Sequence, residues 1–77
     1  MNQSYDTPLS QYTVSDTDEV ATTKYYGNVN KAGKWYILKN DTTAGTFRYT
    51  SGDSGYTTAW TGRAALTYDY YYNISGI

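Results

Sequence analysis

From Thr22 onward, apolar and polar residues alternate in short runs, and turn residues interrupt them every eight to twelve positions. That spacing is the mark of an antiparallel meander or a small sandwich. Residues 22–29 place Tyr25, Gly27 and Val29 on one side and Lys24, Tyr26 and Asn28 on the other, as a half-buried strand would. Asn30-Lys31-Ala32-Gly33 reads as a hairpin turn, with Gly at the position that wants positive φ. Residues 34–39, Lys-Trp-Tyr-Ile-Leu-Lys, are apolar on both faces, so they are expected to form a central strand covered twice. Residues 40–45 are a polar loop ending in Gly. Residues 46–50 alternate cleanly, with Phe47 and Tyr49 expected inward. Ser51-Gly52-Asp53-Ser54-Gly55 is the clearest turn. A short fourth strand is expected over 56–60, broken by Thr61-Gly62-Arg63. The fifth and longest is expected over 64–72, with Leu66, Tyr68, Tyr70 and Tyr72 on one face.

The first 23 residues differ. They contain no Gly, and their large apolar residues are sparse: Tyr5, Leu9, Tyr12, Val14 and Val20. No i, i+3, i+4 stripe supports a helix there. Residues 1–23 therefore read as an extended arm and residues 24–77 as a small β domain. The expected fold is all-β: a small antiparallel meander or sandwich of about five strands with an extended N-terminal arm. Its expected core is Tyr25, Trp35, Ile37, Phe47, Tyr49, Trp60, Leu66 and Tyr68.

Composition changes that picture in one respect. Leu, Ile, Val and Phe together number only ten, against eleven Tyr, two Trp and thirteen Thr. Tyr and Thr favour strands, and the core must be largely aromatic. A chain of 77 residues buries only about 60% of its unfolded surface. With no Cys, no disulfide framework or zinc–thiolate site reinforces it. A subunit completed by its neighbours fits better than a self-sufficient monomer. The Tyr-rich run 68–72 would be an aggregation-prone edge unless a neighbour's strand covered it.

Charge divides the chain and narrows the chemistry. Asp6, Asp16, Asp18 and Glu19 are the only charged residues of the first 23, whereas the remainder has six basic residues against Asp41, Asp53 and Asp69. The acidic arm is thus expected to run extended, leave its own domain and pack on a neighbouring subunit. Tyr5, Leu9, Tyr12 and Val14 would anchor the arm, and Asp16, Asp18 and Glu19 would lie near Lys or Arg. Asp16, Asp18 and Glu19 lack the Gly and distal Glu of a calcium loop. There is no His, the commonest general base. No enzymatic activity, cofactor or metal is expected. Six basic residues in a chain of net charge −1 are no footprint for nucleic acid, and no apolar run is long enough to span a membrane. Sugar binding remains open, because Trp35, Trp60 and Tyr56 could stack on a pyranose while Arg48, Arg63 and Asp53 held its hydroxyls. The same two tryptophans could equally be the core.

Four stretches together resemble a group of short bacteriophage proteins. They are Tyr25-Tyr26-Gly27, the run from Asn30 to Ile37 (Asn-Lys-Ala-Gly-Lys-Trp-Tyr-Ile), Thr46-Phe47-Arg48-Tyr49, and the run from Tyr56 to Tyr71. The resemblance spans residues 24–72 and implies a virion structural protein of a tailed phage, in tail, neck, fibre or capsid decoration. It implies self-association and docking on other virion proteins, with no catalytic residues. The resemblance further implies residence in the virion, and because the first ten residues have neither a basic nor an apolar signal region, synthesis in the host cytoplasm is expected. A carbohydrate-binding host-adhesion module, with a host glycan as partner, is the alternative; a subunit of a non-viral extracellular filament is a third.

Overall fold

A computed structural model describes residues 11–76 of the chain. Four strands run β1 (Thr13–Asp18), β2 (Thr23–Val29), β3 (Trp35–Asp41) and β4 (Thr46–Gly52). They form one antiparallel meander in the order β1-β2-β3-β4. One short helix, α1 (Tyr56–Thr61), and two 3-10 turns at Arg63–Ala65 and Tyr71–Asn73 follow. The all-β expectation and the meander hold.

The two central hairpins follow from their turn chemistry. The Asn30 side-chain oxygen accepts from the Ala32 and Lys34 amides, both at 3.0 Å. Asp41 does the same for Thr43 and Ala44. Each turn closes through a glycine with positive φ, Gly33 at 88° and Gly45 at 71°, a conformation with little steric cost for Gly alone. These turns fix the register Val29↔Trp35 and Asp41↔Thr46. In an antiparallel sheet, register decides which residues share a face.

One face, the packed face, carries Tyr25, Gly27, Trp35, Ile37, Thr50 and Gly52. Tyr25, Trp35 and Ile37 are its buried core, and Ile37 is fully enclosed. Val29, Tyr56, Ala59, Trp60, Leu66 and Tyr68 pack against them. Phe47 and Tyr49 are corrections. β4 pairs Thr50 with Ile37 and Gly52 with Trp35, so alternation turns Phe47 and Tyr49 to the opposite face. There Tyr12, Tyr36, Tyr49 and Tyr71 form a row of contacting rings, with centroids 5.1, 6.1 and 5.2 Å apart.

Three further expectations are revised. Residues 56–60 are helical because Tyr56, Ala59 and Trp60 recur at i, i+3 and i+4, which turns all three toward the sheet. Residues 64–72 form no long strand. Leu66 and Tyr68 still point inward at period two, but the chain touches β4 through a single bridge, Tyr49↔Asp69. Third, residues 13–18 do not leave the body. They pair with β2 as an edge strand of their own sheet, from Thr13↔Val29 to Asp18↔Tyr25, with a bulge between Val14 and Asp16. A boundary at residue 23 therefore cuts through the sheet. The arm expected over residues 1–10, including Tyr5 and Leu9, lies outside the described residues.

Two glycines allow the second layer to lie close. A Cβ on Gly52 would meet the Trp35 indole at 2.5 Å, and one on Gly27 would overlap the Tyr56 hydroxyl and meet Trp60 at 2.9 Å. We expect Gly27→Ala and Gly52→Ala each to destabilise the fold by about 1–3 kcal/mol, the usual cost of overpacking. Chemical denaturation monitored by tryptophan fluorescence checks this; an unchanged midpoint for both variants contradicts it.

Candidate docking surfaces

The C-terminal half is held on the packed face by charge as well as by burial. Asp18, Tyr25, Lys39 and Arg48 follow one another across the four strands in a single row. Asp18 Oδ2 accepts from Arg63 Nη2 at 2.8 Å and Nε at 3.2 Å, while Arg63 Nη1 donates to the Trp60 carbonyl at 2.7 Å. The same guanidinium sits 4.3 Å from the Trp60 ring and 5.8 Å from that of Tyr25. Lys39 lies 5.3 Å from the Tyr68 ring, and Arg48 lies 4.1 Å from that of Tyr70. Cation–π contacts of this kind contribute about 0.5–2 kcal/mol each. The row therefore clasps residues 60–70 onto the sheet.

The expected sugar residues are built into this layer. Trp35 is buried, and its Nε1 donates to the Ser54 carbonyl at 2.7 Å. Trp60 is partly buried, stacked on Tyr56, with Arg63 beside its ring. Tyr56 donates its hydroxyl to Asp16 at 2.8 Å. Arg48, on the edge strand β4, lies at the opposite edge of the sheet from the Asp18 that holds Arg63 and is committed to Tyr70, and Asp53 pairs with Lys34 at 3.7 Å in an exposed position. Trp35 and Trp60 thus do not form an open stacking platform with both arginines at its rim.

The expected arm residues divide as well. Asp18 finds Arg63, a basic partner within its own chain. Asp16 and Glu19 instead accept from tyrosines, Glu19 from Tyr26 at 2.7 Å. Tyr12 packs edge-on against Tyr36 and its hydroxyl lies 3.5 Å from the Gly76 carbonyl. Val14 is 57% exposed. The four described arm polar and aromatic residues thus stitch β1 to the body.

The exposed aromatic surface lies elsewhere, around β4. Phe47 is 53% exposed and Tyr72 79%, with Tyr70 and Tyr71 also exposed. Tyr70 and Tyr72 stack almost parallel, at 8° and 5.4 Å, so Arg48, Tyr70 and Tyr72 form one continuous stack at the sheet edge. Phe47 and Tyr71 continue the aromatic surface onto the opposite face. Alternation along the chain points Phe47 into the core and makes the run 68–72 a strand edge. The signal available was the density of Tyr at 68–72, far more rings than a thin core could enclose. Asp69, among these rings, is exposed and receives the Tyr70 amide at 2.7 Å.

Among the described residues, no group of three or more acidic side chains could hold a metal ion, and no helix is long and apolar enough to cross a membrane. No family model matches the chain, and neither a curated protein nor a solved structure matches it.

Titration reports on the clasp. The Arg63 hydrogen bonds, helped by the Val20 amide, hold the Asp18 carboxyl below its usual range. With the folded value below the unfolded one, its contribution is present above about pH 4 and is lost as pH falls further. Asp18→Asn should therefore be less stable than the native chain at neutral pH, and its stability should decline less steeply below pH 4. Thermal melts across acid pH check this; parallel profiles contradict it. Burial, followed by the bond to Asp16, pushes the Tyr56 hydroxyl up to about 12, and burial raises Tyr68 as well. These raised values add stability that is complete below about pH 10 and lost as pH climbs through 12. Tyrosinate absorbance should show at least two hydroxyls titrating together with alkaline unfolding; eleven uniform titrations near 10 would contradict it.

Proposed function

We propose that this protein is a small, non-catalytic structural subunit that acts by self-association and by docking on other proteins. We further propose that its setting is the particle of a tailed bacteriophage, as a tail, neck, fibre or capsid-decoration component. The observation that carries this reading is the aromatic surface around β4, where Phe47, Tyr70, Tyr71 and Tyr72 stand exposed together. Grouped exposed aromatics mark protein contacts more often than solvated surface.

The size of the core supports the same reading. Among the described residues, three buried hydrophobic side chains and a single thin second layer leave little stabilisation in hand. Chains below about 70–80 residues rarely draw more than about 3–5 kcal/mol from one core. A neighbour that binds only the folded state adds stability by mass action. The likeness of residues 24–72 to short phage proteins supplies the setting.

Sedimentation velocity over a wide concentration range tests self-association. Both the sedimentation coefficient and the melting temperature should rise with concentration. A monomer with a dilution-independent melting temperature overturns the reading. Peptides of this chain should be recovered by mass spectrometry from density-banded phage particles; recovery only from the unbanded lysate overturns the virion setting.

A further inference from the structure

We infer that the second face of the sheet is a two-fold contact between two copies of this chain. This names the surface for the self-association proposed above and rests on it. The distribution of charge between the two faces carries the assignment. Strand pairing and alternation place Asp16, Asp18, Lys39, Asp41 and Arg48 on the packed face, whereas the second face holds Tyr26, Tyr36, Leu38, Phe47 and Tyr49, with Lys24 as the charged residue of its β2 strand. A sheet with one face on its core and one in water shows the reverse, apolar in and polar out. Here the side with a second layer is the charged one, because its cations clasp the aromatic rings of residues 60–70.

The occupant follows from what the face can tolerate. A two-fold contact sets a patch against itself, so like charges on the patch would repel. Leu38, Tyr49 and Phe47 carry none, and Tyr26 donates its hydroxyl to the Glu19 carboxylate at 2.7 Å, which stands at the same margin as Lys24 and is of opposite sign. Asn40, which pairs with Lys24 and Phe47, lies among them. Lys24 is held at the margin, where its Nζ donates to the Glu19 and Ala21 carbonyls at 3.1 and 3.3 Å. Tyr12 and the C-terminal segment cross the Ser51 end of the face, through Ser51 Oγ donating to Ser75 at 2.9 Å. The Phe47 end is the more open one, with that ring 53% exposed.

Area sets the strength. Three strands of seven residues and one of six cover a footprint of at most about 450 Å² at ordinary strand spacing and rise. That is roughly half of what each partner gives to a standard interface. The dimer is therefore concentration-dependent, a contact suited to acting alongside others in a particle. Packed face to face, the two sheets would stand about 10 Å apart.

Sedimentation equilibrium of the full chain up to millimolar concentration, with Phe47→Lys, Tyr72→Ser and Thr57→Lys, tests this. Phe47→Lys should weaken dimerisation at least tenfold with an unchanged far-ultraviolet β signal, and Thr57→Lys, at an exposed α1 position on the packed side, should leave it within twofold. If Tyr72→Ser dissociates the oligomer and Phe47→Lys does not, self-association stands and this face is overturned. A native chain that stays monomeric throughout overturns both. The chain has no cysteine, so single-cysteine spin labels give a second measurement that does not depend on Phe47→Lys folding. Labels at Asn40→Cys should couple between copies, and labels at the exposed α1 position Thr57→Cys should not. Coupling at Thr57→Cys alone overturns the proposal.

Discussion

Close approach of aromatic rings to a glycine floor is the constraint on which the rest of this structure depends. Trp35 lies over Gly52, and Tyr56 and Trp60 lie over Gly27. With a side chain at either glycine, the second layer would stand further off. Leu66 and Tyr68 could then no longer close over Ile37, the one fully enclosed side chain among the described residues. A chain with so few aliphatic residues has no reserve of apolar volume to fill such a gap, and unfilled space in a core costs both transfer energy and lost contacts.

The clasp of cations and rings answers a second problem, that of holding an irregular segment on a sheet without a strand ladder. Residues 62–70 form only one bridge to β4, so few backbone hydrogen bonds secure them. Arg63, Lys39 and Arg48 supply the missing attachment, each set against a ring of the segment or its neighbour. Asp18 completes it by fixing Arg63 from the opposite edge. The C-terminal half and β1 therefore stabilise each other across the sheet, and the second face is left with aromatic side chains and little charge.

Much of this fold was legible locally. The three strands from Thr23 to Gly52 and both tight turns follow from period-two alternation and from Asn30, Asp41 and two glycines, all short-range signals. Tyr25, Trp35 and Ile37 as core follow from the same alternation. The candidate surface was legible only as a surplus of rings near the C-terminus. Trp35 and Trp60, the residues with the strongest chemical suggestion, became packing elements, because an indole in a chain with so small a core is more stabilising buried than exposed.

The sequence by itself determined an all-β, aromatic-cored, disulfide-free domain with its central hairpins, because those features rest on contacts within a few residues. Tertiary structure decided the rest. β1 is a strand because β2 offers it an edge; its own residues, polar and acidic, carry no strand pattern. Residues 56–61 are a helix because three residues at helical spacing meet a sheet floored by glycine, while a six-residue segment read alone fits either period. Phe47 and Tyr49 went to the second face because register across two turns, not their hydrophobicity, fixes which side of the sheet an alternating strand presents.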